Sequence, residues 1–145
     1  MTETKERILS EAFRLFGKHG YRGVSINRIV EKVGITKGGF YHYFTSKEEL
    51  FIEGWEQFIF TSMEELTESL FKQTDSVEQF LREYFLFPKY FLQWIESIGL
   101  EDIKGMYVLM FNGLDMFPYL FNKMLDTYRS QIALLTELIE TGKTN

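Results

Sequence analysis

From Gly34 to Leu50 the chain reads GITKGGFYHYFTSKEEL, with two adjacent glycines directly before five residues of which four are aromatic. Lys37, Tyr41, His42 and Tyr43 carry hydrogen-bond donors on aliphatic or aromatic bodies. That combination suits nucleic acid, where cations and hydroxyls hold phosphate oxygens and side chains in the groove read base edges. Glycine inside a helix costs roughly 1 kcal/mol relative to alanine. Gly38 and Gly39 therefore call for an offsetting gain, such as a close approach of the backbone to its ligand.

Other chemistries fit the residues less well. His19 and His42 fall on different segments, and no third ligand follows at metal-site spacing. Glu48 and Glu49 are accounted for by capping and by the positive end of a helix, without acid–base work. Neither a serine–histidine–acid arrangement nor a phosphate-binding glycine loop stands out, so no enzyme, metal or cofactor is expected. Cysteine is absent, which rules out disulfides and thiolate metal sites and fits a reducing compartment. The charged N-terminus lacks the apolar core of a signal peptide, and no stretch approaches the roughly 18 apolar residues of a membrane span. A cytoplasmic protein with no membrane attachment is expected.

The net charge of −5 seems to argue against a polyanionic partner until it is resolved along the chain. Residues 1–54 hold nine Lys/Arg against seven Asp/Glu, and residues 55–145 hold seven against fourteen. Between Lys18 and Lys47, six cations are opposed only by Glu31. A local positive surface can steer a polyanion even on an acidic protein.

Only helices are needed to position these groups. Ile8, Leu9, Ala12, Phe13, Leu15 and Phe16 recur at helical spacing from Thr4 to Lys18. Ser25 caps a second helix that Gly34 ends, and Thr36 caps a short third helix that runs through Phe44. On it Phe40 and Phe44 share the inward face. Ser46 to Glu49 matches a capping box, opening a long fourth helix from Lys47 to about Phe71 with Trp55, Phe58, Ile59, Ser62, Leu66 and Leu70 along one side. Asp75 or Ser76 starts a fifth, which Pro88 kinks or ends and Gly99 closes. A sixth spans about Glu101 to Asn112, and a seventh runs from Pro118 to about Thr141 with apolar residues, Leu138 among them, on more than one side. The fold class is all-α.

Two short helices joined by a tight glycine turn and packed on a longer first helix read as a helix-turn-helix. The segment ILSEAFRLFGKHGYRGVSINRIVEKVGITKGGFYHYFTSKEELF resembles the N-terminal domain of the TetR family of transcriptional repressors over roughly residues 5 to 54. The resemblance rests on Phe16, the Gly20-Tyr21 corner, Ser25, Ile29, Gly34, Thr36-Lys37-Gly38, Tyr41, Phe44 and Lys47-Glu48. It implies DNA contacts from Ser25, Asn27 and Arg28 on the second helix, from Thr36, Lys37, Gly38, Gly39, Tyr41, His42 and Tyr43 on the third, and from Lys47. The family often has a hydroxyl residue where Gly39 stands.

The same resemblance implies two domains, a DNA-binding domain at 1–46 and a helical domain at 47–145 that binds an effector and pairs with a second subunit. Family members usually continue for two further helices, which leaves two expectations: the sequence stops short of them, or the terminal helices are reassigned and Pro118 to Thr141 meets the partner. Large apolar side chains can line a ligand cavity. Trp55, Phe58, Ser62, Tyr107, Met110, Phe111 and Asn112 are the expected lining, with Ser62 and Asn112 orienting a small hydrophobic effector. The expectation is a homodimeric repressor on a palindromic double-stranded operator, released by that effector. The alternative is a constitutive DNA-binding interaction protein of the same fold.

Overall fold

The computed structural model describes residues 2–72 and 76–142. Its helices, in order, are α1 (Glu3–His19), α2 (Ile26–Val33), α3 (Lys37–Tyr41), α4 (Lys47–Trp55), a π-helical turn (Glu56–Phe60), α5 (Thr61–Lys72), α6 (Val77–Ser97), α7 (Ile103–Met116) and α8 (Pro118–Gly142). No strand occurs among the described residues. No helix among them is long and apolar enough to cross a membrane.

The starts of these helices are written locally. Thr2, Ser25, Thr36, Ser46, Ser76 and Asp102 each have extended backbone, and each side-chain oxygen accepts the N–H three residues on. Each such cap contributes about 1 kcal/mol by satisfying a backbone donor that the helix leaves free. Gly34 ends α2 in the left-handed region at φ 77° and ψ 36°, its N–H returning to the Val30 carbonyl. The alternative cap Asp75 and the inward placement of Leu66, Leu70 and Leu138 lie outside the described residues.

Four features differ from the sequence expectation. α3 ends at Tyr41 rather than Phe44, because the Tyr43 N–H bonds only three residues back, to the Phe40 carbonyl at 2.9 Å, and Ser46 must already be extended to cap α4. α6 runs through Pro88 as one helix. α7 begins two residues later than expected, after the Asp102 cap, and continues to Met116. The long fourth helix is interrupted by the π turn, whose extra residue shifts the buried face so that Phe60, at 1% exposure, takes an inward place while Phe58 is only half-buried.

The capping box is also rearranged. Ser46 accepts the Glu49 N–H at 3.0 Å, but the Glu49 carboxylate reaches past Ser46 to the Thr45 N–H and hydroxyl, at 2.6 and 2.5 Å. The Thr45 hydroxyl, then its N–H, hold the Glu49 carboxyl below the usual carboxylate range. A group with a depressed folded-state pKa contributes stability above its unfolded pKa and loses it as pH falls through the folded value. Acidification below the ordinary carboxylate range is therefore expected to loosen the start of α4. Glu49→Gln should flatten this part of an acid unfolding curve followed by circular dichroism; a curve identical to the wild type would refute the assignment.

One core runs through both halves. Phe13, Phe16, Phe40, Phe44, Phe51, Trp55 and Phe60 are all buried to within 1% exposure. Arg7 ties α1 to the end of α2 through the Val33 carbonyl at 2.8 Å, and Lys5 pairs with Glu53 of α4 at 2.6 Å. α1 and α7 meet at Gly17 and Gly105, where a Cβ on Gly17 would stand 3.4 Å from the Gly105 carbonyl oxygen and 2.6 Å from the Leu100 side chain just before α7.

Candidate nucleic-acid interface

α2 and α3, with the residues that cap them, expose a set of polar side chains. Ser25, Asn27, Arg28, Thr36, Lys37, Gly38, Tyr41 and His42 are exposed, and Gly39 and Tyr43 are partly so. Beneath them Phe40 and Phe44 pack ring to ring at 5.8 Å. The Tyr41 ring stands edge-on to Phe40 at 5.4 Å, and the His42 and Tyr43 rings stand edge-on to each other at 4.9 Å. Rings braced in this way lose less freedom on meeting a ligand.

Several of these groups have local partners. The Thr36 hydroxyl oxygen accepts the Gly39 N–H at 3.0 Å, and the Ser25 oxygen accepts the Arg28 N–H at 3.3 Å. Each hydroxyl keeps its own hydrogen to donate. The Arg28 guanidinium lies 2.8 Å from His19 Nε2 and, having no acceptor of its own, donates to it. Sequence reasoning had not paired them, since they sit on different helices.

Lys47 is placed differently from the expected phosphate contact. Its Nζ donates to the Tyr21 and Val24 carbonyls, both at 2.9 Å, and lies 4.1 Å from the centre of the Tyr21 ring. Desolvation in this position lowers its pKa. Burial, and then the Glu48 charge, raise that of Tyr21.

The seven expected effector contacts sit in different surroundings. Trp55 is fully buried against Gly113, and Phe58 packs on Phe13 with ring centres 5.0 Å apart. Ser62 and Met110 are half-buried. Tyr107 and Phe111 stack on each other at 6.5 Å on the outside of α7, 53% and 70% exposed. Asn112 turns toward the end of α1, where its Oδ1 accepts the Tyr21 N–H at 2.9 Å, while its Nδ2 donates to the Val108 carbonyl of its own helix at 2.8 Å. A cleft of about 880 Å³ does exist, but it lies between α1, α2 and the α6–α7 turn, and none of the seven lines it. Its walls are charged, with Lys18 bonded to Glu101 at 2.8 Å.

Beyond the cleft, the π turn is anchored to α8. Glu56 pairs with Lys123 and accepts the Tyr119 hydroxyl at 3.4 Å. Burial, then the Glu56 charge and hydrogen bond, push the Tyr119 phenol up to about 12.

A short exposed helix reached through a glycine turn and braced by two flanking helices defines a helix-turn-helix domain of the three-helix type. Residues 8–53 match the family described as bacterial regulatory proteins, tetR family. This segment is a TetR-family helix-turn-helix domain. The chain is 42% identical over 66 residues to the uncharacterised HTH-type transcriptional regulator YerO of Bacillus subtilis (strain 168), a match covering 46% of this chain and 23% of that protein. It is 42% identical over 48 residues to the HTH-type transcriptional repressor AcnR of Corynebacterium diphtheriae, covering 33% and 25%. The matches thus span about a quarter of the length of these curated relatives. Among solved structures, a transcriptional regulator of the TerR/AcrR family from Aquifex aeolicus VF5 superposes with a TM-score of 0.60 at 28% identity, over 95% of this chain and 72% of that one.

Proposed function

We propose that the protein is a DNA-binding transcriptional repressor that acts as a homodimer on a palindromic operator and is released by a small apolar effector. The observation carrying the DNA-binding reading is the shared exposure of Lys37, Tyr41 and His42 on α3 with Ser25, Asn27 and Arg28 on α2. In this reading α3 enters the major groove, Lys37, His42 and Tyr43 reach base edges, and the hydroxyls of Ser25 and Thr36 donate to phosphates. Lys47, already committed to two carbonyls, serves to hold the domain in shape.

Pairing is supported by α8, which buries Leu120 and Met124 while leaving Phe121, Tyr128 and Ile132 between 44% and 63% exposed. Effector binding is supported by Trp55, whose buried Nε1 has no hydrogen-bond partner among the described residues. A buried donor left unpaired costs about 1–3 kcal/mol, which an acceptor on a ligand would relieve. The charged lining of the cleft and the dispersal of the apolar candidates favour the constitutive reading instead. Titrating apolar compounds into a DNA-binding assay separates the two, because an effector must prefer the non-binding state.

Footprinting on the DNA flanking the protein's own gene, repeated at several salt concentrations, tests the core of the reading. Specific protection is expected, with affinity falling steeply as salt rises because phosphate contacts release counterions. His42→Ala is expected to alter sequence preference by about 1–3 kcal/mol per base pair touched. Absence of protection at every salt concentration, or binding indifferent to salt, would sink the proposal.

A further inference from the structure

We propose that Asn112 is a positioning residue that couples α7 to the DNA-binding face through Tyr21 and Lys47, an inference that rests on the DNA-binding reading and deepens it. Tyr21 follows the end of α1, where Gly20 at φ 71° turns the chain and the Tyr21 N–H has no carbonyl of its own helix to meet. Asn112 Oδ1 supplies the acceptor at 2.9 Å from 91 residues away. The Nδ2 bond to the Val108 carbonyl fixes which way the amide faces, since only its oxygen can accept. The Tyr21 carbonyl is held in turn by Lys47, the first residue of α4. Tyr21 is therefore clamped at its N–H by α7 and at its carbonyl by the first residue of α4.

Packing makes this corner a junction. The Tyr21 ring meets Phe51 of α4 at 5.0 Å, Phe16 of α1 at 5.7 Å and Phe117, between α7 and α8, at 5.6 Å. Next to Asn112, Gly113 lies against Trp55. A shift of α7 at Trp55 would thus pull on the Tyr21 N–H, and through Lys47 on the start of α4 and the α3 segment before it. Coupling of this kind needs two arrangements that a ligand prefers unequally; here they are the Asn112–Tyr21 bond made and broken.

The test compares the full chain with Asn112→Leu, which keeps the branched shape and removes the acceptor, and with Asn112→Asp, which keeps the acceptor but not the Nδ2 donor. Hydrogen exchange of the Tyr21 amide is followed by NMR, and operator affinity is measured across a salt series. Asn112→Leu should speed Tyr21 exchange about tenfold, as expected for loss of roughly 1.4 kcal/mol of protection, and should weaken DNA binding with the salt slope unchanged. Slower Tyr21 exchange in Asn112→Asp than in Asn112→Leu would support the coupling, since the acceptor is then present even though the bond to the Val108 carbonyl is lost. Lys47→Met, which keeps the stem over the Tyr21 ring, breaks the other end and should weaken binding likewise, again at constant salt slope. Wild-type exchange and affinity in both Asn112→Leu and Lys47→Met would overturn the coupling. If the wild type bound no operator, the repressor reading would fall on that result alone, while Tyr21 exchange would still decide the coupling.

Discussion

Gly113→Ala is expected to lower stability by about 1–3 kcal/mol or more, seen as an earlier midpoint in urea with little change in slope. A Cβ at this position would stand 2.3 Å from Trp55 Cζ2, 2.5 Å from Cε2 and 2.8 Å from Nε1. No flexible side-chain tip is available to yield, because the indole is rigid and fully buried. Phe51 and Phe60 close on it with ring centres 6.4 and 5.8 Å away. Relief must come from α7 moving off α4, which would also strain the neighbouring Asn112–Tyr21 bond. Trp55→Phe should recover part of the loss when combined with Gly113→Ala, since the smaller ring leaves room for the methyl. A double-mutant cycle reads that coupling. An unshifted midpoint for Gly113→Ala alone would mean that the contact is less tight than described.

Gly39→Ala is expected to do the opposite to stability and the most to function. A Cβ there would meet Thr36 Oγ1 at 3.5 Å and Ile35 Cβ at 3.7 Å, and one on Gly38 would meet only Thr36 Oγ1 at 3.8 Å. These are ordinary contacts, and neither residue has a positive φ. Nothing inside the fold requires glycine, so alanine should raise stability by up to about 1 kcal/mol through its better helix propensity. If DNA is what needs the space, operator affinity should fall about tenfold or more, a loss of roughly 1.4 kcal/mol. Thermal unfolding and a binding titration on the same variant would show the two effects moving in opposite directions. Undiminished binding by a stabilised Gly39→Ala would remove the close-approach account of the paired glycines.

The small domain was legible because its signals are local. Ser25, Thr36 and Ser46 each bond to a backbone N–H three residues on, so side chain and partner lie within one short window of the chain. Gly34 likewise announces a left-handed turn that few other residues tolerate. The 3.6-residue period of Ile8, Leu9, Ala12, Phe13 and Phe16 brought those five to the core, all within 1% exposure. The extent of α3 was less legible, since competition between its last turn and the Ser46 cap is settled by geometry rather than by residue type.

Further from the surface of α3, residue type misled where direction mattered. Lys47 is a cation that follows α3 in the chain, yet its ammonium points to the Tyr21 and Val24 carbonyls. Asn112 reads as a polar group among apolar ligand candidates, yet both ends of its amide are bonded, one of them to Tyr21. The π turn moved Phe60 inward without any Gly or Pro to mark it. By itself the sequence determined the starts of α2, α3 and α4 with their Ser25, Thr36 and Ser46 caps, because each depends on interactions within about four residues. Only the tertiary structure decided where Lys47, Asn112 and Trp55 point, because their partners come from segments distant in sequence and meet only once α1, α4 and α7 have packed.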